Sequence, residues 1–146
     1  MWGTAKALPN AKDHFSTIVV SGKIYVLGGE KGHHLLHQPQ GDAHVYDPAT
    51  DTWKALANLP LAKSHLEGST FLSNGLIVMA GGQVDNFTPT GNVEAYNPAT
   101  NTWSTLAPLP GLRQGSVLKR VGNTFVLAIG AKRSSEPQTT VWRATV

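Results

Sequence analysis

The chain has no cysteine among its 146 residues. Disulfide bridges, zinc–thiolate sites and thiol nucleophiles are therefore excluded, and cysteine usage leaves the compartment open. Long hydrophobic runs are also missing, because the longest ones cover only several residues, as at 125–129. A membrane-spanning helix needs about 20 apolar residues, and the first residues lack the hydrophobic stretch of a signal peptide. The sequence therefore predicts no membrane partner, and the localisation stays unknown.

Charged residues are few as well. They make up 14 % of the chain against 40 % for hydrophobic residues, a balance typical of a globular domain. The twelve lysines and arginines leave a net charge of +3 and are scattered, with pairs only at 119–120 and 132–133. Surfaces that bind nucleic acid cluster their basic residues, so no nucleic-acid partner is predicted. Motifs of nucleophilic catalysis and phosphate-binding glycine loops are also missing. The sequence therefore predicts no catalytic residue and no cofactor.

What the chain does contain is an internal repeat. Residues 46–53 read YDPATDTW, and residues 96–103 read YNPATNTW. A double glycine precedes each segment, at 28–29 and again at 81–82, and follows a short apolar run. Copies at a period of about 50 residues indicate stacked structural units. The fifteen glycines and nine prolines suit tight turns between short strands.

These markers, in this order, resemble those of the kelch-repeat family, whose blades carry a double glycine after the second strand and then a tyrosine and a tryptophan. The resemblance implies an all-β fold of four-stranded antiparallel kelch-type β-propeller blades, three per chain, in a single domain over residues 1–146. It also implies that the repeated aromatic residues pack within and between blades. They are Tyr46, Tyr96 and Trp142 at one position, and Trp2, Trp53 and Trp103 at the other.

The predicted strands occur in a shifted order along the chain. Residues 2–8 match the fourth strand of a blade, blade 1 covers about 14–59, blade 2 about 65–109, and blade 3 about 115–146 without a fourth strand. Three blades do not close a ring, because propellers have about four to eight. We therefore expect a homodimer that closes a six-bladed ring, in which each N-terminal strand completes the partner's third blade and covers exposed sheet edges. The alternative is that the chain is half of a longer six-bladed protein.

In a propeller, ligands are expected at the strand ends around the central channel. The connections from each fourth strand to the next first strand bring three equivalent basic positions and their neighbours to one face. We expect this channel mouth to bind an acidic sugar or peptide, since lysine and arginine attract carboxylates. The predicted ligand-binding residues are Lys12, His14, Lys63, His65, Arg113 and Gln114. In the alternative interpretation, the basic residues pair with local carboxylates such as Asp13 and Glu67.

Two functions fit this arrangement. The first is a non-catalytic binding module that recognises a ligand or protein at the channel mouth. The second, which the resemblance suggests at the level of fold, is a sugar-acid-processing enzyme of sialic-acid mutarotase or lyase type. In it, His14 or His65 would be the proton shuttle, and the carboxylate would be held by Lys12, Lys63 and Arg113. The copper-radical sugar oxidases of the family need a Tyr–Cys cofactor, which a chain without cysteine cannot form. His33, His34 and His37 share one loop, but a metal site needs three or four convergent ligands, so no metal is predicted.

Overall fold

The computed structural model describes residues 1–32, 37–85, 87–133 and 135–145. Over these ranges the secondary structure consists of fifteen β-strands, which pair antiparallel, without any helix. The part of the chain described here thus has no helix that is long and apolar enough to cross a membrane. The prediction of an all-β fold is confirmed.

The first repeat forms one sheet and one small ribbon. Its strands are β1 (Ser16–Val20), β2 (Lys23–Leu27), β3 (Glu30–Lys31), β4 (Gln38–Pro39), β5 (Ala43–Asp47) and β6 (Thr52–Ala55). Blade 1 is the four-stranded sheet with the order β1-β2-β5-β6, and β3 pairs only with β4. A two-residue turn at Ser21 and Gly22, both with positive φ, joins β1 to β2, as a tight hairpin requires.

The second repeat has the same layout. Its strands are β7 (Thr70–Ser73), β8 (Leu76–Ala80), β9 (Gln83–Val84), β10 (Thr88–Pro89), β11 (Val93–Asn97) and β12 (Thr102–Leu106). Blade 2 has the order β12-β11-β8-β7, and β9 pairs only with β10. The first strand of this blade begins at Thr70, whereas the sequence indicated residue 65. The difference arises because a turn precedes the strand, closed by the Ser69 N–H, which donates to the Leu66 carbonyl at 3.0 Å.

The third repeat forms a three-stranded sheet, blade 3. Its strands are β13 (Val117–Val121), β14 (Thr124–Ala128) and β15 (Trp142–Thr145), paired in that order. Among the described residues no strand lies beside the outer edge of β15. Residues 2–8, predicted as an unpaired fourth strand, have no strand partner in the described chain and are not assigned as a strand.

A close-packed junction joins blade 1 to blade 2. Its core holds Leu27, Leu66 and Met79, all fully buried, and the ring of Tyr96 fills the space between the sheets. At this junction the backbone of Gly28 comes so close to blade 2 that a Cβ would lie 2.5 Å from the Lys63 carbonyl oxygen. The double glycine is therefore required by the packing of neighbouring blades.

The register of blade 3 corrects one sequence-based assignment. The sequence placed Trp142 at the position of Tyr46 and Tyr96. In the sheets, Tyr96 pairs with Ile77, and the corresponding pair in blade 3 is Ala144 with Phe125. Trp142 lies two residues earlier in the strand. The assignment was wrong because it was based on aromatic character. The position of a residue in the sheet is set by the pairing of β15 with β14, which places Ala144 opposite Phe125.

Candidate functional site

A row of three equivalent residues leads into the first strands of the three blades. His14, His65 and Gly115 have positive φ values of 46°, 57° and 57°, a conformation that is uncommon for residues other than glycine. The His65 N–H donates to the His14 carbonyl at 3.0 Å, and the Gly115 N–H donates to the His65 carbonyl at 3.1 Å. The first strands also lie side by side, since β7 contacts both β1 and β13. We call this row the inner lip.

The two histidines of the inner lip stack on each other. Their ring centroids are 4.2 Å apart and their planes differ by 4°. Nδ1 of His14 lies 2.8 Å from Oε1 of Glu67, and Nδ1 of His65 lies 2.9 Å from Oγ of Ser64. A bond at one ring nitrogen fixes the orientation of the whole imidazole. The histidine side chains are 33 % and 20 % exposed, so a bound molecule can touch them.

A buried carboxylate lies behind His65. Glu30 is fully buried, and its Oε2 accepts a hydrogen bond from Ser64 Oγ at 2.7 Å and lies 3.0 Å from Nε2 of His37. Because Ser64 gives its hydroxyl hydrogen to Glu30, the Ser64 oxygen is an acceptor for His65, whose Nδ1 therefore carries a hydrogen. His65, Ser64 and Glu30 thus form a hydrogen-bonded relay from the inner lip to the interior.

The same residues offer atoms of the types that bind metals. His14, Glu30 and His65 each bring one such atom within 4.8 Å of the others. Ligand atoms lie about 2 Å from a bound zinc ion, so these three must move closer together to share one. The two imidazole planes are nearly parallel, and one ring has to turn before both nitrogens face the same point. The absence of a metal stays a prediction, and His33 and His34 lie outside the described residues.

The predicted basic residue of blade 2 is engaged inside the blade. Lys63 is fully buried, its ammonium forms an ion pair with Glu94, and it donates to the Gly81 carbonyl at 3.0 Å. Burial lowers the pKa of Lys63, and the attraction of Glu94 opposes this shift. The lysine therefore connects the segment before β7 to both middle strands of its own sheet.

The equivalent Lys12 of blade 1 also pairs with a carboxylate, next to the start of β5. Its buried ammonium lies 3.1 Å from Oδ2 of Asp42 and donates to the Asp42 carbonyl at 3.0 Å. Burial lowers the pKa of Lys12. Burial disfavours the ionised form of Asp42, yet hydrogen bonds from Asn10 and Lys12 hold the pKa of this carboxyl below its ordinary value. His44, at the position of Glu94, lies 3.4 Å from Asp42 through Nδ1, and burial lowers its pKa.

In blade 3 the basic residue contacts a ring. The guanidinium carbon of Arg113 lies 4.1 Å from the centroid of Trp142, a cation–π contact, and Nη1 donates to the Leu112 carbonyl at 2.9 Å. Trp142 has the register of His44 and Glu94, so each basic residue packs beside this position of its own third strand. The neighbouring Gln114 is buried, and its Oε1 has no hydrogen-bond partner among the described residues.

Residues 12–60 and 70–110 match the kelch motif, and together they make up more than half of the chain. The chain belongs to the kelch-repeat family. The family predicted from the repeated glycine, tyrosine and tryptophan markers is therefore confirmed.

Kelch relatives match the chain over part of their length. The chain is 35 % identical over 82 residues to the Kelch-like protein terF of Aspergillus terreus, and the matched region covers 56 % of this chain and 18 % of that protein. It is 32 % identical over 89 residues to the N-acetylneuraminate epimerase of Escherichia coli (strain K12), and the matched region covers 58 % of this chain and 23 % of that protein. The chain thus spans less than a quarter of the curated relatives it matches.

The kelch fold is similar to that of a solved structure. The chain matches the structure of YjhT with a TM-score of 0.86 at 20 % identity, over 99 % of this chain and 53 % of that chain. At this identity the likeness shows the fold alone. The prediction of kelch-type propeller blades is thereby confirmed.

Within this kelch fold the six predicted ligand-binding residues separate into two groups. His14 and His65 come together at the inner lip, where they remain partly exposed. The others are buried, each within its own blade: Lys12, Lys63, Arg113 and Gln114. The ligand-binding role of all six stays a prediction. The sequence reasoning missed Glu30, which follows the double glycine at 28–29, where the second repeat has Gln83. An acidic side chain at this position of the repeat was the available signal.

Proposed function

We propose that this kelch chain is a non-catalytic binding module that takes an acidic sugar or peptide at the inner lip, where His14 and His65 contact it. The observation that carries the proposal is the stacked, partly exposed histidine pair, in which each ring is oriented through Nδ1. Pre-oriented polar groups bind better because less freedom is lost on binding.

Acidic ligands fit the charges of this chain. The net charge is +3. Because Nδ1 of each ring is already engaged, Nε2 donates to a ligand carboxylate in the charged form of the imidazole, in which both ring nitrogens carry a hydrogen. Sugar acids are favoured over peptides because one relative is described as an N-acetylneuraminate epimerase. The buried Lys12 and Lys63 would reach such a ligand only by giving up Asp42 and Glu94, so the proposal gives the main role to the histidines.

Replacing either histidine by alanine tests this proposal. Titration calorimetry with N-acetylneuraminate is expected to show binding to the unmodified chain and about tenfold weaker binding to His14→Ala and His65→Ala, since each variant loses one hydrogen bond to a charged group. The methyl ester of the same sugar, which lacks the charge, should bind more weakly to the unmodified chain. Lys54→Ala, on the exposed outer strand β6, removes a positive charge away from the lip and should bind normally. Equal affinity of all variants would place the ligand elsewhere.

A second function is favoured by the relay from His65 through Ser64 to Glu30. A hydrogen-bonded chain of this kind can move a proton between the lip and the buried carboxylate. The chain would then process a sugar acid, with His65 exchanging a proton with the bound sugar.

The two functions give different results with the same sugar. If the chain is an enzyme of this kind, it speeds the exchange between the two anomers of N-acetylneuraminate, followed by NMR. Glu30→Gln should then reduce the exchange rate while largely preserving the affinity measured by calorimetry. Binding without any gain in exchange rate supports the non-catalytic module, and absence of both contradicts the two proposals.

A further inference from the structure

An apolar groove separates blade 2 from blade 3. Its volume is about 540 Å³, within the range of pockets that hold ligands. The walls are mainly apolar side chains of both sheets, among them Phe71, Leu76, Leu109, Phe125 and Trp142. The equivalent space between blades 1 and 2 is filled, because Tyr96 and Trp103 pack into it. Blade 3 has only Ala144 at the tyrosine position.

Tryptophan makes the same contact in two places, between the N-terminal segment and blade 1 and between blade 1 and blade 2. The indole N–H of Trp103 donates to the Ala57 carbonyl at 2.9 Å, and that of Trp53 donates to the Lys6 carbonyl at 2.8 Å. In each case the carbonyl belongs to the residue four positions after the tryptophan of the preceding repeat. Each tryptophan also packs beside the tyrosine of its own blade, with centroids 4.9 Å apart for Tyr46 and Trp53.

The amide of the same carbonyl residue is held as well. The Ala57 N–H donates to Oδ1 of Asn101 at 2.8 Å, and the Lys6 N–H donates to Oδ1 of Asp51 at 2.7 Å. Residue 6 thus occupies the place in front of blade 1 that residue 57 occupies in front of blade 2. The N-terminal segment is therefore already positioned in front of blade 1 as the end of a fourth strand.

The third copy of this contact is incomplete. Ala107 stands four positions after Trp103, as Ala57 does after Trp53, and it lines the groove. Neither its N–H nor its carbonyl has a hydrogen-bond partner among the described residues. Trp2, four positions before Lys6, is fully exposed. Among the described residues, the Ala107 carbonyl thus has no indole donor, and the Trp2 indole has no carbonyl acceptor.

We propose that the groove is the docking site for the N-terminal segment of a second copy of this chain, with the partner's Trp2 in the groove and its indole N–H bonded to the Ala107 carbonyl. The proposal deepens the expected homodimer and does not depend on any ligand. The exposed edge of β15 also needs a cover.

The repeat fixes the register of the docked segment. In blades 1 and 2 the tyrosine pairs with the tryptophan, as Tyr96 does with Trp103, and Ala95 pairs with Ser104. Applied to blade 3, this register places the partner's Trp2 opposite Ala144 and the partner's Gly3 opposite Arg143. Residues 1–5 of the second copy would then extend the sheet antiparallel to β15.

One residue makes the junction with the partner differ from the internal ones. Ile129 stands where the other repeats have Gly28 and Gly81, and its φ is 55°. At Gly28 a Cβ would lie 2.5 Å from the Lys63 carbonyl of the next blade. The equivalent carbonyl in the dimer belongs to the partner's Lys12, so the junction must be wider at this point. Ile129→Gly is therefore expected to tighten the dimer.

Light scattering on the full chain tests the assembly. The expected mass is twice 15.6 kDa at micromolar concentration. Trp2→Ala should raise the dissociation constant roughly thirtyfold or more, as truncation of a buried anchor does, and Ile129→Gly should lower it. Circular dichroism on each variant separates dissociation from unfolding. The proposal is overturned if the unmodified chain is a folded monomer, or if Trp2→Ala leaves the dissociation constant unchanged. Binding of a small apolar molecule in the groove would not rescue it.

Cross-linking tests the register. The chain has no cysteine, so two introduced ones report only on each other. Gly3→Cys with Arg143→Cys places thiols directly opposite each other, within the distance of a disulfide, and should give a covalent dimer under mild oxidation. Gly3→Cys with Thr145→Cys is the control, because Thr145 lies on the same face of β15 but two residues away from Arg143. This pair should give little covalent dimer, since diagonal neighbours are about 7–8 Å apart. Equal cross-linking of both pairs, or of neither, contradicts the proposed register.

Discussion

Lys63→Met is expected to destabilise the protein by about 3–5 kcal/mol, the usual cost of leaving one member of a buried ion pair without its partner. The lysine is fully buried against Glu94 and the Gly81 carbonyl, and methionine keeps its volume while removing the charge. The carboxylate of Glu94 is 3 % exposed, so water does not replace the lost ammonium. The midpoint of urea denaturation, followed by circular dichroism, measures the effect.

Two controls show whether the ion pair is the cause. Lys23 forms a similar pair with Asp47 on the exposed surface, and Lys23→Ala should leave the midpoint almost unchanged. Combining Lys63→Met with Glu94→Leu removes both charges and should recover most of the loss. If Lys63→Met alone behaves like Lys23→Ala, Lys63 does not hold the blade together, and a role for it in ligand binding becomes the better explanation.

Gly28→Ala is expected to be the second large effect. Two costs add at this residue: the positive φ of 63°, worth about 1–2 kcal/mol for a residue with a Cβ, and the collision of that Cβ with the Lys63 carbonyl oxygen, worth roughly 1–3 kcal/mol more. The collision involves the backbone of the neighbouring blade, so a rotamer change cannot relieve it. Thermal unfolding should show a clearly lower transition temperature.

Gly22→Ala is the matched control for this effect. Its φ is 74°, close to that of Gly28, but nothing lies within 4 Å of an added Cβ. The difference between the two variants therefore measures the contact between blades 1 and 2 without the backbone strain. Equal destabilisation by the two substitutions would mean that the double glycine serves only its own turn.

The repeat made most of the fold predictable from the sequence. The double glycines and the tyrosine and tryptophan markers predicted two full blades, because residues such as Gly28 and Tyr96 are required by the packing of blade 1 against blade 2. Where the third repeat departs from the pattern, the prediction failed. Trp142 was assigned to the tyrosine position because it is aromatic, whereas the strand pairing gives that position to Ala144.

The candidate site was only partly predictable, for a different reason. His14 and His65 come together because they precede equivalent first strands, and spacing alone brings such residues side by side. Whether Lys63 faces the channel or the interior depends on Glu94, a residue 31 positions away on another strand. A single sequence does not reveal such a pairing. Glu30 escaped notice for the same reason, since its partners Ser64 and His65 come from the next blade.

The tryptophan contacts also determine the order in which the chain can become stable during synthesis. The amide and carbonyl of Ala57 close the last strand of blade 1, yet their partners, Asn101 and Trp103, are 44 and 46 residues further along. When the ribosome has just released the last residue of blade 1, that strand end therefore has no partner for either group. The end of the outer strand of blade 1 is therefore held in place only after the second repeat has been translated.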